Sequence, residues 1–346
     1  MPLAREQDRP IANNPAQDVD PGADPGAAAA AEHFSRKTTP EILALIDDKD
    51  PNDPIRRQYL PSARELVVAP EELADPIGDD AYSPIKGIVH RHADRVLLKP
   101  TLACAVHCRF CFRRDVLDEA GGGLNEAELE TALEYVRAHD TVKEVILTGG
   151  DPLVLAPDKL ARIVRALSTV PQLTTIRIHT RVPVATTRLM NDGLIAALAT
   201  PKAMFVVVHC NHVRELTDAA RAACARLVAA GIPVLSQSVL LAGVNDTVDA
   251  LADLMEGLVA MRIKPYYLHQ CDLVRGTSHF RVEIERGREL VAQLRRRVSG
   301  IAMPTYVLDV PGGFGKVPLG SDYGPDAEGR VRDPAGHMHI YPPSRR

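Results

Sequence analysis

From residue 95 onward, short β-prone runs alternate with amphipathic stretches, and this alternation limits the fold more than any other feature of the chain. The runs are RVLLKPT (95–101), VKEVILT (142–148), TIRIHT (175–180), MFVVVH (204–209), IPVLSQSVLL (232–241) and KPYYLH (264–269). Between them lie EAELETALEYVRAH (126–139), PDKLARIVRALSTV (157–170), TDAARAACARLVAAG (217–231) and VDALADLMEGLVAM (248–261). The first set is rich in β-branched and aromatic residues, and the second repeats apolar residues at helical spacing. Strand then helix, repeated about six times, predicts an α/β fold built on a parallel sheet. Such crossovers are right-handed, and six of them curl into a full or partial (β/α)6 barrel. An open doubly wound sheet is the alternative. No solenoid-type short repeat is visible.

Ahead of this region the character of the chain differs. Residues 1–33 are rich in Ala, Pro, Asp and Gly and carry almost no large apolar side chains, so a disordered tail is expected. Residues 34–90 include TPEILALIDDKDPNDPIRRQYLPSARELVVAP (39–70), whose apolar spacing and proline breaks predict short helices and turns. With 346 residues, 45% hydrophobic and 25% charged, the chain is globular. A net charge of -4 is not that of a nucleic-acid or anionic-membrane binder. No apolar run approaches membrane-spanning length, and the N-terminus lacks a basic-then-apolar leader. A cytoplasmic protein with reduced thiols is therefore expected.

In barrels and open α/β sheets, chemistry sits where strands end. The polar residues here fall there: the cysteines after RVLLKPT, GGDP (149–152) after VKEVILT, His179 and Arg181 after TIRI, His209 after MFVVV, Asp272 after PYYLHQC. Cys104, Cys108 and Cys111 are spaced C-x3-C-x2-C. A structural zinc site wants four ligands, and no second Cys/His pair stands at suitable spacing. Cys210, Cys224 and Cys271 stand alone and read as small buried hydrophobes. Three clustered thiolates suit a [4Fe–4S] cluster with one iron left open to a small chelating molecule. Taken singly, GGDP is also an ordinary turn. His179 and His209 read equally well as pocket-lining or as satisfied strand-end histidines.

C-x3-C-x2-C with an aromatic before the last cysteine resembles the radical S-adenosylmethionine (SAM) superfamily. The stretches CRFCFRR, LTGGDPL, SQSVLLAGVND (236–246), PYYLHQCDLVRGTSHFR (265–281) and VLDVPGGFGKVPL (307–319) together resemble lysine 2,3-aminomutase. The fold this implies is the partial (β/α)6 TIM-like barrel of the radical SAM type over 91–300. An N-terminal helical segment precedes it, and a segment carrying a pyridoxal 5'-phosphate (PLP) lysine follows at 301–346. The resemblance implies that Cys104, Cys108 and Cys111 hold the [4Fe–4S] cluster, whose open iron chelates SAM. Gly149, Gly150 and Asp151 match the motif that meets the SAM amino group, and Gln237 and Ser238 fall near the adenosine. Lys316 matches the lysine that binds PLP, and Arg91 and Arg95 match the arginines that hold its phosphate. Arg113 matches the residue that pairs with the substrate α-carboxylate. Asp272 and Asp309 match two carboxylates that grip the distal ammonium of L-lysine.

Without the resemblance, Lys316 reads as a turn residue or anion contact and the two arginines as solvated side chains. Asp272 would be a strand-end cap and Asp309 a turn residue before proline. Phe314 stands where the family usually has glycine. The implied activity is an isomerase that interconverts L-α-lysine and β-lysine by migration of an amine between neighbouring carbons. Its reductant would be a donor such as flavodoxin or ferredoxin, and a homo-oligomer is a candidate assembly. With no cysteine after Cys271, no inter-subunit zinc site is expected. Short members of the family make (R)-β-lysine for elongation factor P, an alternative destination for the same product. A non-catalytic Fe–S redox or sensing protein and a zinc-bound structural protein are the readings from other classes.

Overall fold

The computed structural model describes residues 26–117, 122–320, 326–328, 330–334 and 337–340. One nine-stranded sheet dominates, its strands neighbouring one another in chain order. They are β1 (Ile88–His92), β2 (Arg95–Thr101), β3 (Glu144–Gly149), β4 (Thr175–Thr180), β5 (Ala203–His209), β6 (Val234–Leu240), β7 (Ile263–Gln270), β8 (Thr305–Val310) and β9 (Gly315–Pro318). β2 through β8 run parallel. β1 and β9 flank them as antiparallel edges. The sheet is curled into a half-barrel, as expected.

Helices cover its outer face. Asn125 opens Glu126–Ala138 with a reciprocal capping box to Glu128, and Thr217 and Thr247 cap the helices Asp218–Ala229 and Val248–Ala260. Each helix then buries one stripe, as Leu160, Ile163, Val164 and Leu167 do on Pro157–Ser168. Those stripes and the outward-facing strand residues form one large apolar core. No described helix is long and apolar enough to cross a membrane.

The inner face is different. Strand side chains alternate with a period of two, so β6 buries Val234, Ser236, Ser238 and Leu240 and turns Leu235, Gln237 and Val239 inward. Arg177 and His179 of β4 and Tyr267 and His269 of β7 also face the interior cavity. The curled sheet thus has an apolar outside and an inside where charged and polar side chains stand among apolar ones.

All six strands expected from the sequence form, each within a few residues of its predicted bounds. Three more strands of this sheet were not expected, nor was a separate antiparallel pair of short strands, Arg330–Arg332 and Met338–Ile340. β1 begins inside the stretch read as helical, and β8 and β9 come from the C-terminal segment, so a seventh parallel strand extends the six units. A further helix, Ile284–Arg297, connects β7 to β8. The expected tail of residues 1–33 also needs correction. Residues 1–25 lie outside the described residues, but Ala27–His33 form a helix with Ala27 and Ala30 buried. Small side chains permit it: a Cβ on Gly26 would sit 2.4 Å from that of Ala63.

Candidate active site

A cavity of about 710 Å³ opens inside the half-barrel at the C-terminal ends of its strands. Every residue that the sequence singled out for cluster, cofactor or substrate lines it, except Ser238. Ser238 is fully buried and donates its hydroxyl to the carbonyl of Cys210. It faces the helices because its neighbour Gln237 faces the cavity.

The cysteine loop follows β2. Turns close it locally, with the Cys111 N–H on the Cys108 carbonyl at 3.1 Å and the Arg114 N–H on that of Cys111. The N-terminal segment holds it from behind. The His107 N–H reaches the Lys37 carbonyl and the Arg109 N–H the Gln58 carbonyl, both at 2.8 Å. Glu65, fully buried, takes the Arg109 guanidinium at 2.6 Å and also pairs with Arg114. Arg114 in turn lies 3.6 Å over the Phe34 ring. None of the three cysteines is in a disulfide, and all are partly exposed at the cavity. Burial pushes the Cys108 thiol up to about 12 and raises that of Cys111. A bound cation would offset that burial and favour the thiolates. No three His, Cys, Asp or Glu side chains among the described residues converge on a single-ion site. Three cysteine thiols lining one cavity fit a larger cationic group with one side open, such as the cluster.

The GGDP stretch packs directly on the start of this loop. Gly149 has φ +109, and a Cβ on Gly150 would lie 2.2 Å from the Ala103 carbonyl oxygen, so neither position accepts a side chain. Asp151 lies at the cavity wall with its carboxylate engaged by the protein. Its carboxylate accepts from the Thr180 hydroxyl at 2.7 Å and from the backbone N–H groups of Leu153, Arg181 and Val182. It joins the ends of β3 and β4 and fixes Arg181. The Arg181 guanidinium pairs with Glu215 at 3.1 Å and donates to the Tyr59 hydroxyl.

At the other end of the cavity, β8 and β9 set Asp309 opposite Lys316. Their intervening turn needs PGGFG: Gly312, Gly313 and Gly315 have φ of 85°, 84° and 93°. Phe314 stands between them at a position without positive φ, 79% exposed at the rim, so the loop tolerates a side chain there. Lys316 Nζ lies 2.6 Å from Asp309 Oδ2, while Asp309 Oδ1 is buried without a partner. Burial, with Asp309 beside it, pushes Asp272 up to about 7. Arg95 pairs with Asp94 at 2.8 Å. Arg91 and Arg113 both pair with Asp79, at 3.2 and 2.7 Å. Burial tends to raise Asp79, but Arg113, Lys99 and Arg91 outweigh it and hold the carboxyl below its usual range.

Between the two ends, His179, His209 and His269 each leave Nε2 buried and unpaired. Burial, reinforced by nearby cations, holds all three below the ordinary histidine range, His269 at about 4. They are uncharged hydrogen-bonding groups on the cavity wall.

Several participants escaped the sequence reading. Glu65 and Glu215 are legible as capping-box acids, but their arginine partners lie 44 and 34 residues away. His269 could have been found from its alternation with Tyr267. Asp79, in GDDAY, carries no local signal.

The chain is similar in sequence to known proteins. A match to the Radical SAM superfamily spans residues 98–255. The chain is 38% identical over 303 residues to L-lysine 2,3-aminomutase of Acetoanaerobium sticklandii, covering 88% of this chain and 73% of that one. To L-lysine 2,3-aminomutase of Clostridium subterminale it is 39% identical over 298 residues, covering 86% and 72%. To glutamate 2,3-aminomutase of Clostridioides difficile it is 34% identical over 290 residues, covering 84% and 68%.

Proposed function

The chain belongs to the lysine 2,3-aminomutase family of radical SAM enzymes, and from that premise we propose that it interconverts L-α-lysine and β-lysine with PLP as a second cofactor. The observation that carries this reading is the meeting, in one cavity, of the cysteine triplet, Lys316 and the paired carboxylates Asp272 and Asp309. Cys104, Cys108 and Cys111 would hold the cluster, with SAM at its open side along Gln237 and the uncharged histidines. Arg91, Arg95 and Lys316 would hold PLP. When bound, the cluster with SAM supplies a hydrogen-abstracting radical, and PLP supplies the π-bond across which an amine can migrate. An external one-electron donor such as flavodoxin or ferredoxin would reduce the cluster.

The chain's own residues bind, orient and exclude. Arg113 offers a two-donor edge to the α-carboxylate. The distal ammonium of lysine competes with Lys316 for Asp309 and meets Asp272 beside it. Two carboxylates at this end favour a cationic side chain and repel that of glutamate. Burial of these groups holds the substrate away from bulk water, which limits radical side reactions.

The test is anaerobic reconstitution with iron, sulfide and PLP, reduction, and incubation with SAM and L-lysine, with β-lysine read by mass spectrometry. Formation of β-lysine that is lost in both Cys108→Ala and Lys316→Ala is the expected result. A cluster-bearing protein that retains no PLP would sink the aminomutase reading and leave a redox protein.

A further inference from the structure

We propose that Asp79 is a positioning residue for substrate recognition: it aims Arg113 at the substrate carboxylate and couples it to Arg91 and to the loop that carries Lys316. This rests on the aminomutase reading above.

Asp79 is 6% exposed. Its Oδ2 accepts from Arg113 Nε at 3.1 Å and Nη2 at 2.7 Å, and its Oδ1 accepts from Arg91 Nη2 at 3.2 Å. These are the only side-chain hydrogen bonds of Arg113 among the described residues. They occupy the Nε side of the guanidinium and leave Nη1 and the second Nη2 proton as a paired edge. Such an edge is what a carboxylate binds with two parallel hydrogen bonds.

Asp79 is itself held. Its backbone N–H donates to Asp75 Oδ1 at 2.9 Å. Gly78, with φ +71, touches the lysine loop: a Cβ there would lie 2.7 Å from the Gly312 carbonyl carbon. A Cβ on Gly313 would lie 2.3 Å from the Tyr82 ring. The two loops therefore meet with no side chain between them on the glycine positions. Movement of the Lys316 loop is transmitted through this contact to Asp79, and so to Arg113.

The opposite role is that of a placeholder, with Asp79 occupying Arg113 until substrate displaces it. The two roles predict opposite signs. The test compares binding of L-lysine and of 1,5-diaminopentane, which lacks the carboxylate, to the reconstituted holoenzyme by calorimetry. Asp79→Asn is expected to weaken lysine binding by roughly 10- to 100-fold, the loss of a charge-assisted hydrogen bond, with diaminopentane changed less than about twofold. Asp79→Glu, which keeps the charge, is expected to recover part of the loss. Tighter lysine binding in Asp79→Asn, or equal loss of both ligands in Asp79→Asn and Asp79→Glu, overturns the assignment. An unmodified holoenzyme that prefers lysine over the diamine yet makes no β-lysine removes only the reaction reading. One that shows no such preference removes both.

Discussion

A single carboxyl illustrates how the cavity sets chemistry at the scale of one residue. Asp272 sits at about 7 because burial and Asp309 disfavour its charge more than Lys316 and Arg113 restore it. Its proton is bound more tightly in the folded chain than in the unfolded one, where an aspartate titrates at about 3.9. Its contribution to stability is therefore full below the unfolded value and is lost as pH rises toward about 7. Asp272→Asn removes that loss. The variant is expected to melt at a higher temperature than the unmodified chain at about pH 8, with the gap closing toward about pH 4, as read by circular dichroism. A gap that does not change with pH would refute the cause. Binding of lysine's ammonium needs the carboxylate form, so affinity should weaken as pH falls below about 7, and the Asn variant should not show this dependence. Asp272 was legible from its place after a strand. Its altered acidity was not, because that depends on Asp309, Lys316 and Arg113, all distant in sequence.

At the scale of the element, the cysteine loop is a short irregular segment held by packed neighbours on two sides. Behind it, Glu65 neutralises Arg109 and Arg114. Glu65→Gln leaves two buried guanidinium groups without their anion, at a cost of about 3–5 kcal/mol. Urea unfolding should register that loss, and iron bound per chain after reconstitution should fall with it. Below it, Gly150 touches the backbone at Ala103. A methyl at Gly150 can be accommodated only by moving the start of the loop. Gly150→Ala is therefore expected to lower iron content more than it lowers helix content, measured on the same sample by iron assay and far-ultraviolet circular dichroism. Unchanged iron binding would show that the loop is not held there. The strands and helices around the loop were readable because periodicity and caps are local. Its supports were not, since Glu65 meets Arg109 and Arg114 only after the N-terminal segment wraps the barrel.

Across the whole molecule, the proposed function gives the two ends of one cavity two different ligands. A ligand that binds only the folded chain raises its melting temperature, by about 2.7 kcal/mol of stability at a hundredfold excess over Kd. PLP is expected to raise the melting temperature of the unmodified chain and not of Lys316→Ala. SAM is expected to raise it only after iron and sulfide are installed. Stabilisation by SAM in Cys108→Ala would contradict the division. The alternation of strand and helix, the C-x3-C-x2-C spacing and the PGGFGK turn were settled by sequence alone, because each rests on neighbours within a few residues. Tertiary structure decided the rest. It turned Gln237 into the cavity and Ser238 away from it, added β8 and β9 so that Lys316 faces Asp309, and brought Asp79 to Arg113 from 34 residues away. Those outcomes depend on which side of a sheet a residue faces and on which distant charge is buried beside it, and both are set only when the sheet curls and closes its cavity.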